Sequence, residues 1–244
     1  MIHSLLSDAT TLWNLVIPRR YTGGHAERLR AFYAPQGESY DNFRERLLIG
    51  RGQMLEALPI KPGGKVLDMG GGTGRSVEWL EDRLDDLSSV TVVDLCEPLL
   101  NVARRRITTR GWTNVRAVCA DVTRYNEPAE SIDAIAFSYS LTMIPNWVEA
   151  LERAYDLLKP GGSIGVVDFY VSRKWPDPGM RRHSSAARLV WPAWFSHSNV
   201  FLNPAHIDLL RTRFRTVRFE ENMATVPYLL GLKVPYYLFI GTKR

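Results

Sequence analysis

The sequence predicts an α/β fold in which helices cover both faces of a mostly parallel sheet, and two observations lead to this prediction. From Lys65 onward, short apolar runs of strand length alternate with longer amphipathic runs, an order that is typical of parallel sheets. A glycine cluster at 70–74 directly follows the first apolar run, and Pro-Gly-Gly ends a helical pattern at both 62–64 and 160–162. At 244 residues, the chain is long enough for one large domain of this class.

The order of the predicted elements follows from the same patterns. A helix over 42–58 precedes the first strand, and further helices are expected at 75–84, 98–110, 147–158 and 204–214. The strands are predicted at 65–69, 90–94, 115–119, 132–137 and 163–169, followed by an antiparallel pair at 216–221 and 236–242. Residues 170–202, which are rich in Pro and Trp, are predicted to be irregular.

Residues 1–41 are predicted to form an N-terminal helix and a cap segment in front of the domain at 42–244. Apolar residues recur at steps of three and four from Ile2 to Ile17, which indicates one buried helix face. We interpret this helix as packing on the domain or closing its site, and the alternative is a helix lying in the plane of a membrane. It lacks the early basic residues and the cleavage site of a signal peptide.

The composition narrows the classes of function. Apolar residues make up 45% and charged residues 23% of the chain, which is typical of a globular protein. Cys96 and Cys119 are the only cysteines, so a disulfide scaffold is excluded and a reducing, cytosolic setting is favoured. No apolar stretch approaches the ~20 residues of a membrane-spanning helix, and no cluster has the spacing of metal ligands. The net charge of +5 suits a protein that works near phosphates or an anionic membrane.

The predicted strand ends carry residues that suit a nucleoside. Ligands of open α/β sheets bind at the carboxyl ends of the strands, where glycines let the backbone approach a ligand closely. Asp94 ends the second strand, 20 residues after Gly74, where a carboxylate can accept both ribose hydroxyls. Asp121 follows the third strand, where it can accept the amino group of adenine. Asp68, beside the glycine turn, would repel a pyrophosphate and suits the ammonium of a methionine group.

This arrangement resembles the class I S-adenosylmethionine-dependent methyltransferases, from about Asn42 to the C-terminus. The resemblance implies a Rossmann-like α/β fold with a mostly parallel seven-stranded sheet, an antiparallel last strand, and S-adenosyl-L-methionine as cofactor. It assigns cofactor binding to residues of the glycine turn and the following strand ends: Asp68, Gly70, Gly71, Gly72, Gly74, Asp94, Leu95, Asp121, Val122, Ser138 and Tyr139. These motifs leave the methyl acceptor open.

Several other phrases are similar to the methyltransferase of betaine-lipid synthesis. They lie at 40–44, 93–100, 137–145, 166–174, 199–202 and 234–237. That family methylates the amino group of diacylglycerylhomoserine three times, which yields a trimethylhomoserine lipid. The resemblance therefore implies a lipid substrate at an anionic membrane surface, an upstream aminocarboxypropyl transferase as partner, and a cytoplasmic protein peripheral to the membrane. It implies nothing about the oligomeric state.

Residues 173–202, called here the basic segment, concentrate the positive charge of the chain. Five basic residues stand against one acid, Asp177, so +4 of the net charge of +5 lies in this segment. Tryptophan beside Arg or Lys is typical of surfaces at lipid headgroups, and the alternative is a lid whose tryptophans pack inward. The predicted contacts with membrane or substrate are Arg173, Lys174, Trp175, Arg181, Arg182, Trp191, Trp194 and Phe195.

Methyl transfer to an amine requires alignment, exclusion of water and loss of a proton from the amine. The candidates for holding or deprotonating the amine are Tyr40, Tyr139, Asp168, Tyr170 and His183. The tyrosines suit a quaternary product through cation–π attraction, and a dry, cation-lined pocket can lower the pKa of the amine without a base. Alternative functions are methylation of a soluble amine or of RNA, and a non-catalytic, cofactor-binding lipid partner. Nucleic acid is disfavoured because basic and acidic residues nearly balance outside the basic segment.

Overall fold

A computed structural model of the chain describes residues 47–226 and 231–244, together with Gly24 and Glu27. The strands in these residues are β1 (Lys65–Met69), β2 (Ser89–Asp94), β3 (Val115–Cys119), β4 (Ile132–Ser138), β5 (Leu158–Phe169), β6 (Phe214–Thr225) and β7 (Lys233–Lys243). The α-helices are α1 (Arg51–Ala57), α2 (Glu97–Arg110), α3 (Trp147–Leu157), α4 (Ser185–Ser196) and α5 (Ala205–Arg213). Two further segments, Arg75–Leu84 and Leu141–Met143, are 3-10 helices.

The seven described strands form one sheet in the order β3-β2-β1-β4-β5-β7-β6. The pairs β1–β2, β1–β4, β2–β3 and β4–β5 are parallel, whereas β7 runs antiparallel to both of its neighbours, β5 and β6. The predicted fold class, a mostly parallel seven-stranded sheet with an antiparallel last strand, is therefore confirmed. The strand order reverses between β1 and β4, and the carboxyl ends of strands at such a point form a ligand-binding crevice.

Both faces of the sheet are buried under apolar side chains. Neighbouring residues of one strand enter different clusters: Val66 lies in one together with Met54, and Leu67 lies in the other together with Leu151. This alternation on a sheet covered on both sides explains why the strands are continuous apolar runs. Because packing on both faces holds the strands, the strand ends that carry the site are held in register.

The sequence prediction of an irregular segment over 170–202 is wrong at 185–196, where the chain forms α4. Pro192 lies inside this helix and removes one backbone hydrogen bond. The helix is stabilised at its start by Ser184, whose Oγ accepts a hydrogen bond from Ala187 N at 3.1 Å. Trp191 and Phe195, one turn apart, are buried. A capped start and a buried aromatic face therefore outweigh the proline.

Several sequence predictions lie outside the described residues. They are the helix at 1–17, the beginning of the helix at 42–58, and the acceptor-site candidate Tyr40. Among the helices that the structure does describe, none is long and apolar enough to cross a membrane.

Candidate active site

The glycine turn after β1 requires glycine for two reasons. Gly70, Gly72 and Gly74 have φ values of 73°, 54° and 67°, which side-chain-bearing residues rarely adopt. A Cβ on Gly70 would also lie 2.5 Å from Ser140 Cβ, too close for any side chain. The turn is tied to β2, because Gly70 N donates to Val93 O at 2.7 Å. The backbone amides after β1 are thereby held at the carboxyl edge of the sheet.

Asp94, at the end of β2, ties the glycine turn to the start of α2. Its Oδ2 accepts a hydrogen bond from Gly72 N at 2.9 Å, and its Oδ1 accepts one from Cys96 N at 2.8 Å. Hydrogen bonds to an ionised acceptor are stronger than neutral ones. The carboxylate thus shapes the turn and also lines the cavity beside it.

A cavity of about 420 Å³ opens at the carboxyl ends of β1, β2 and β4, within the size range of small-molecule sites. Nine of the eleven predicted cofactor residues line it: Gly70, Gly71, Gly72, Asp94, Leu95, Asp121, Val122, Ser138 and Tyr139. Asp121 is held by Thr123, whose backbone N and Oγ1 donate to its Oδ1 at 2.9 Å and 2.8 Å. Strand ends far apart in sequence therefore converge on one cavity.

The other two predicted cofactor residues, Asp68 and Gly74, are not among the residues that line the cavity. Asp68 is buried directly beneath Gly71, and its Oδ2 accepts a hydrogen bond from Ser76 Oγ. Its Oδ1 is buried without a hydrogen-bond partner among the described residues. Burial raises the pKa of Asp68 to about 6, although the hydrogen bond from Ser76 opposes this shift. A buried acceptor of this kind suits a cationic group placed above the turn.

Arg51, in α1, lines the same cavity and was not selected by the sequence analysis. It is buried, its Nε donates to Leu48 O at 3.2 Å, and its guanidinium lies 4.7 Å from the centre of the Trp79 ring. The signal was present in the sequence, because Arg51 interrupts the apolar face of the predicted helix at 42–58, one turn from Leu47 and Leu55. A cation on an apolar helix face indicates a buried anionic partner or an anionic ligand.

Tyr139 is the only one of the four described acceptor-site candidates that lines the cavity. It directly follows β4 and has a φ of 54°, a strained value for a residue with a side chain. Its hydroxyl donates to Ile49 O at 2.6 Å, and burial, with nearby Asp168, raises its pKa well above the ordinary value. The phenol therefore stays neutral, and the ring rather than a phenolate is offered to a ligand.

Asp168 does not line the cavity, so the structure does not support its prediction as a group that holds or deprotonates the amine. It is completely buried, and its oxygens accept hydrogen bonds from Thr142 N at 3.0 Å, Thr142 Oγ1 at 2.7 Å and Phe169 N at 2.8 Å. Thr142 belongs to the 3-10 helix Leu141–Met143, which borders the cavity through Met143. Asp168 is therefore a positioning residue for that border.

The burial of Asp168 leads to a prediction about stability and pH. Desolvation raises its pKa from the ordinary 3.8 to about 7, despite the opposing hydrogen bonds from Thr142 and Phe169. Between these pH values only the folded state keeps the proton, so this group destabilises the fold as the pH rises. We expect the stability of Asp168→Asn relative to the wild type to increase steadily between about pH 4 and about pH 7, measured by urea unfolding. A stability difference that is constant over this range would contradict the prediction.

Tyr170 and His183 form a buried cluster that does not line the cavity, so the structure does not support their prediction as amine-binding groups. The Tyr170 hydroxyl donates to Glu221 Oε1. His183 Nδ1 accepts a hydrogen bond from Ser172 N at 3.0 Å, and Ser172 Oγ accepts one from His183 N at 2.9 Å. Burial lowers the pKa of His183, which keeps the ring neutral and able to accept. The cluster holds the beginning of the basic segment against the sheet.

The aromatic residues of the basic segment divide into an inner and an outer group. Trp191 and Phe195 are only 5% and 8% exposed, and Trp194 is half-buried against the same core cluster. The rings of Trp191 and Phe195 therefore pack inward, as in the lid alternative, and are not presented to a membrane; their contact with a substrate stays a prediction. Trp175 is 69% exposed. Four basic residues of the segment are exposed as well: Arg173, Lys174, Arg181 and Arg182.

The strand order and the cavity of the described residues define the fold of class I S-adenosylmethionine-dependent methyltransferases. Residues 66–162 match the family model described as a methyltransferase domain. This range begins in β1 and includes every predicted cofactor residue. Among the described residues, no group of three or more His, Cys, Asp or Glu side chains could hold a metal ion.

Curated relatives with a similar sequence are ubiquinone/menaquinone biosynthesis C-methyltransferases. The protein from Hydrogenovibrio crunogenus is 33% identical over 116 residues, which are 47% of this chain and 46% of the relative. The protein from Xanthomonas oryzae is 32% identical over 127 residues, 51% of this chain and 50% of the relative. The chain thus spans about half the length of these relatives.

Solved structures share the fold over most of the chain. Phosphoethanolamine N-methyltransferase 2 of Haemonchus contortus, in complex with phosphomonomethylethanolamine and S-adenosylhomocysteine, has a TM-score of 0.70 and 17% identity, covering 91% of this chain and 60% of its own. The 1,6-didemethyltoxoflavin-N1-methyltransferase of Burkholderia thailandensis, also with S-adenosylhomocysteine, has a TM-score of 0.59 and 22% identity, covering 93% of each chain. S-adenosylhomocysteine is the demethylated form of the predicted cofactor, so these neighbours support that prediction.

Proposed function

We propose that this chain is an S-adenosylmethionine-dependent methyltransferase that methylates the amino group of diacylglycerylhomoserine three times, as a cytoplasmic protein peripheral to the membrane. The observation that carries the activity is the cavity at the carboxyl ends of β1, β2 and β4, lined by the glycine turn, Asp94 and Asp121. The acceptor is proposed from the six phrases shared with the betaine-lipid methyltransferases, of which those at 93–100 and 137–145 border this cavity.

The residues present fit the cofactor chemically. Asp94 would hold the ribose hydroxyls, and Asp121 would hold the amino group of adenine. Arg51 would hold the carboxylate of the methionine group. The buried carboxyl of Asp68 would favour the positively charged ammonium of the same group. A Cβ on Gly72 would lie 3.4 Å from Leu99 Cδ1 and 3.9 Å from Asp94 Oδ2, so any other residue there would fill space beside the ribose-binding carboxylate.

When bound, S-adenosylmethionine supplies a methyl group on a sulfonium sulfur. The sulfur leaves as a neutral thioether, so no acid has to protonate it. The chain must therefore align the amine and exclude water. Met143, Ile144 and Pro145 provide an apolar border of the cavity. The two aspartates that line it are already engaged by backbone amides, and Tyr139 is a neutral phenol. Because none of the described residues that line the cavity offers a free base, we propose that the amine loses its proton to solvent before it enters, and that the apolar border disfavours the ammonium form inside.

The experiment that tests this function measures products directly. The purified chain is incubated with S-adenosylmethionine and diacylglycerylhomoserine in detergent, and the lipids are analysed by mass spectrometry. We expect mono-, di- and trimethylated lipid in succession. Cofactor binding without any methylated lipid would overturn the acceptor, and expression in cells with the upstream aminocarboxypropyl transferase would test the same product in a membrane.

A second candidate function is C-methylation of a membrane quinone precursor, which the 33% identity to a ubiquinone/menaquinone biosynthesis C-methyltransferase favours. The two functions differ in the atom that receives the methyl group. Side-by-side incubation with diacylglycerylhomoserine and with a demethylated menaquinone precursor therefore separates them. If the labelled methyl group appears only on the quinone precursor, the quinone precursor and not the lipid amine is the acceptor.

The raised pKa of Asp68 leads to a prediction about cofactor binding. With a pKa of about 6, the side chain is ionised at pH 7 and favours a cationic ligand, and it becomes neutral as the pH falls below about 6. We expect the affinity for S-adenosylmethionine to fall several-fold between about pH 7 and about pH 5, measured by calorimetry. Asp68→Asn should bind more weakly at pH 7 and lose this dependence. A variant with the same pH dependence as the wild type would show that another group titrates.

A further inference from the structure

The basic segment exposes apolar side chains that the core does not use. Nine large apolar residues are exposed in the described part of the chain, and four of them lie in this segment: Trp175, Leu189, Val190 and Phe201. Leu189 and Val190 are 73% and 51% exposed although they are central residues of α4. Scattered single apolar residues on a surface need no explanation, whereas a concentration of them in one segment indicates an interaction site.

Helix α4 has two different apolar faces. Its inner residue Phe195 contacts Phe169, with ring centres 4.8 Å apart, and Phe169 contacts Tyr139 at 4.5 Å. Tyr139 lines the cavity, so a continuous row of aromatic rings joins the cavity to α4. Leu189 and Val190 lie outside this packing and face away from it. The outer face of α4 is therefore connected to the candidate active site through only a few packed side chains.

The backbone around this exposed surface is held in place by hydrogen bonds. Phe201 N donates to Thr142 O at 2.7 Å, next to the cavity border. Arg188 Nη1 donates to Arg173 O at 3.3 Å, which joins α4 to the start of the basic segment. The apolar residues are thus displayed on an ordered surface. An ordered apolar surface loses little conformational entropy when it binds a partner.

Positive charge flanks Trp175, the exposed indole of this segment. Arg182 Cζ and Lys174 Nζ lie 4.6 Å and 5.5 Å from the centre of the Trp175 ring, so this exposed indole is flanked by two cations. The segment as a whole carries +4, whereas the rest of the chain carries +1. An exposed tryptophan between cations, in a segment that also exposes aliphatic residues, complements the headgroups and the upper acyl region of an anionic bilayer.

We infer that this chain docks on an anionic membrane through the outer surface of the basic segment, formed by Trp175, Leu189, Val190 and Phe201 with the surrounding Arg and Lys side chains. The inference deepens the proposed function and rests on it, because a lipid acceptor must leave a bilayer to reach the cavity. The inner residues Trp191 and Phe195 hold α4 against the domain beside the cavity. Docking by the outer face would then place the candidate active site close to the lipid surface.

The test compares two variants that differ only in where the new charge lies. Val190→Asp places an acid on the outer face of α4. The matched control is Val217→Asp. The exposed fraction of Val217, 54%, is similar to the 51% of Val190. Val217 lies near the amino end of β6, at the end of the sheet opposite to the carboxyl ends of the parallel strands. Binding is measured by co-flotation with vesicles of phosphatidylcholine, with or without phosphatidylglycerol. We expect the wild type to float with the anionic vesicles, and Val190→Asp to weaken this by about tenfold while Val217→Asp does not.

Several outcomes would overturn the inference: a wild type that does not float with anionic vesicles, equal losses for the two variants, or no loss for Val190→Asp. A change of oligomeric state in Val190→Asp, with unchanged flotation, would assign the surface to a second copy of the chain instead. Methylation of detergent-dispersed diacylglycerylhomoserine is measured in parallel. Flotation without methylation would overturn the proposed function alone, and methylation without flotation would overturn the docking surface alone.

Discussion

Replacing Asp94 with Ala is expected to lower the affinity for S-adenosylmethionine by about 100-fold, measured by calorimetry. The substitution removes the acceptor for Gly72 N and for Cys96 N, so the glycine turn loses its side-chain tie to the start of α2 and keeps only its backbone hydrogen bonds to Val93. It also removes the carboxylate that would hold the ribose. Both losses lower the affinity for the cofactor, because the same carboxylate shapes the turn and would bind the ligand.

Asp133→Ala is the matched control for this prediction. Asp133 also accepts a hydrogen bond from a backbone amide, that of Lys65 at 2.9 Å, and it pairs with Lys159 at 2.8 Å. It lies at the amino end of β4, on the opposite edge of the sheet from the cavity. Its loss is expected to lower stability by about 1 kcal/mol and to leave cofactor affinity unchanged. Equal losses of affinity in both variants would show that the Asp94 effect is general destabilisation.

Gly70→Ala is expected to lower stability by about 3 kcal/mol and to abolish measurable cofactor binding. A side chain at φ 73° is strained, and its Cβ would lie 2.5 Å from Ser140 Cβ at the wall of the cavity. Relief of this contact requires the glycine turn or the end of β4 to move. Either movement displaces backbone that lines the cavity, so stability and cofactor binding are lost together.

Gly63→Ala is the matched control, because it introduces the backbone strain of Gly70→Ala without the contact between side chains. Gly63 has the same φ of 73°, and its N–H donates to Asp86 O at 2.7 Å, as that of Gly70 does to Val93 O. A Cβ on Gly63 would meet nothing within 4 Å. We expect this variant to lose about 1 kcal/mol in thermal unfolding and to bind the cofactor normally. A similar stability loss in both variants would mean that the contact with Ser140 has no cost.

Most of the residues that line the cavity could be predicted from the sequence because their signals are local. A glycine cluster directly after an apolar run, and acids directly after the next two runs, are visible without any knowledge of packing. The topology of a parallel sheet then brings these strand ends to one edge. Arg51 could have been added on the same basis, since it interrupts an apolar helix face.

The acceptor-site candidates could not be judged in this way. Asp168 and Tyr139 both lie at strand ends, yet only Tyr139 reaches the cavity. The carboxyl of Asp168 is taken by Thr142, 26 residues earlier in the chain. Whether a side chain at a strand end meets a ligand or a neighbouring turn depends on how the next elements pack, which no local pattern records.

The sequence by itself determined the class of fold, the edge of the sheet that carries the cavity and the place where positive charge is concentrated. These features follow from residue types and from the alternation of apolar runs, which act over short distances along the chain. Only the tertiary structure decided that Trp191 and Phe195 face the core while Leu189 and Val190 face outward. The physical reason is that burial is a property of packing between distant elements, and large apolar side chains occur at all four positions of the sequence.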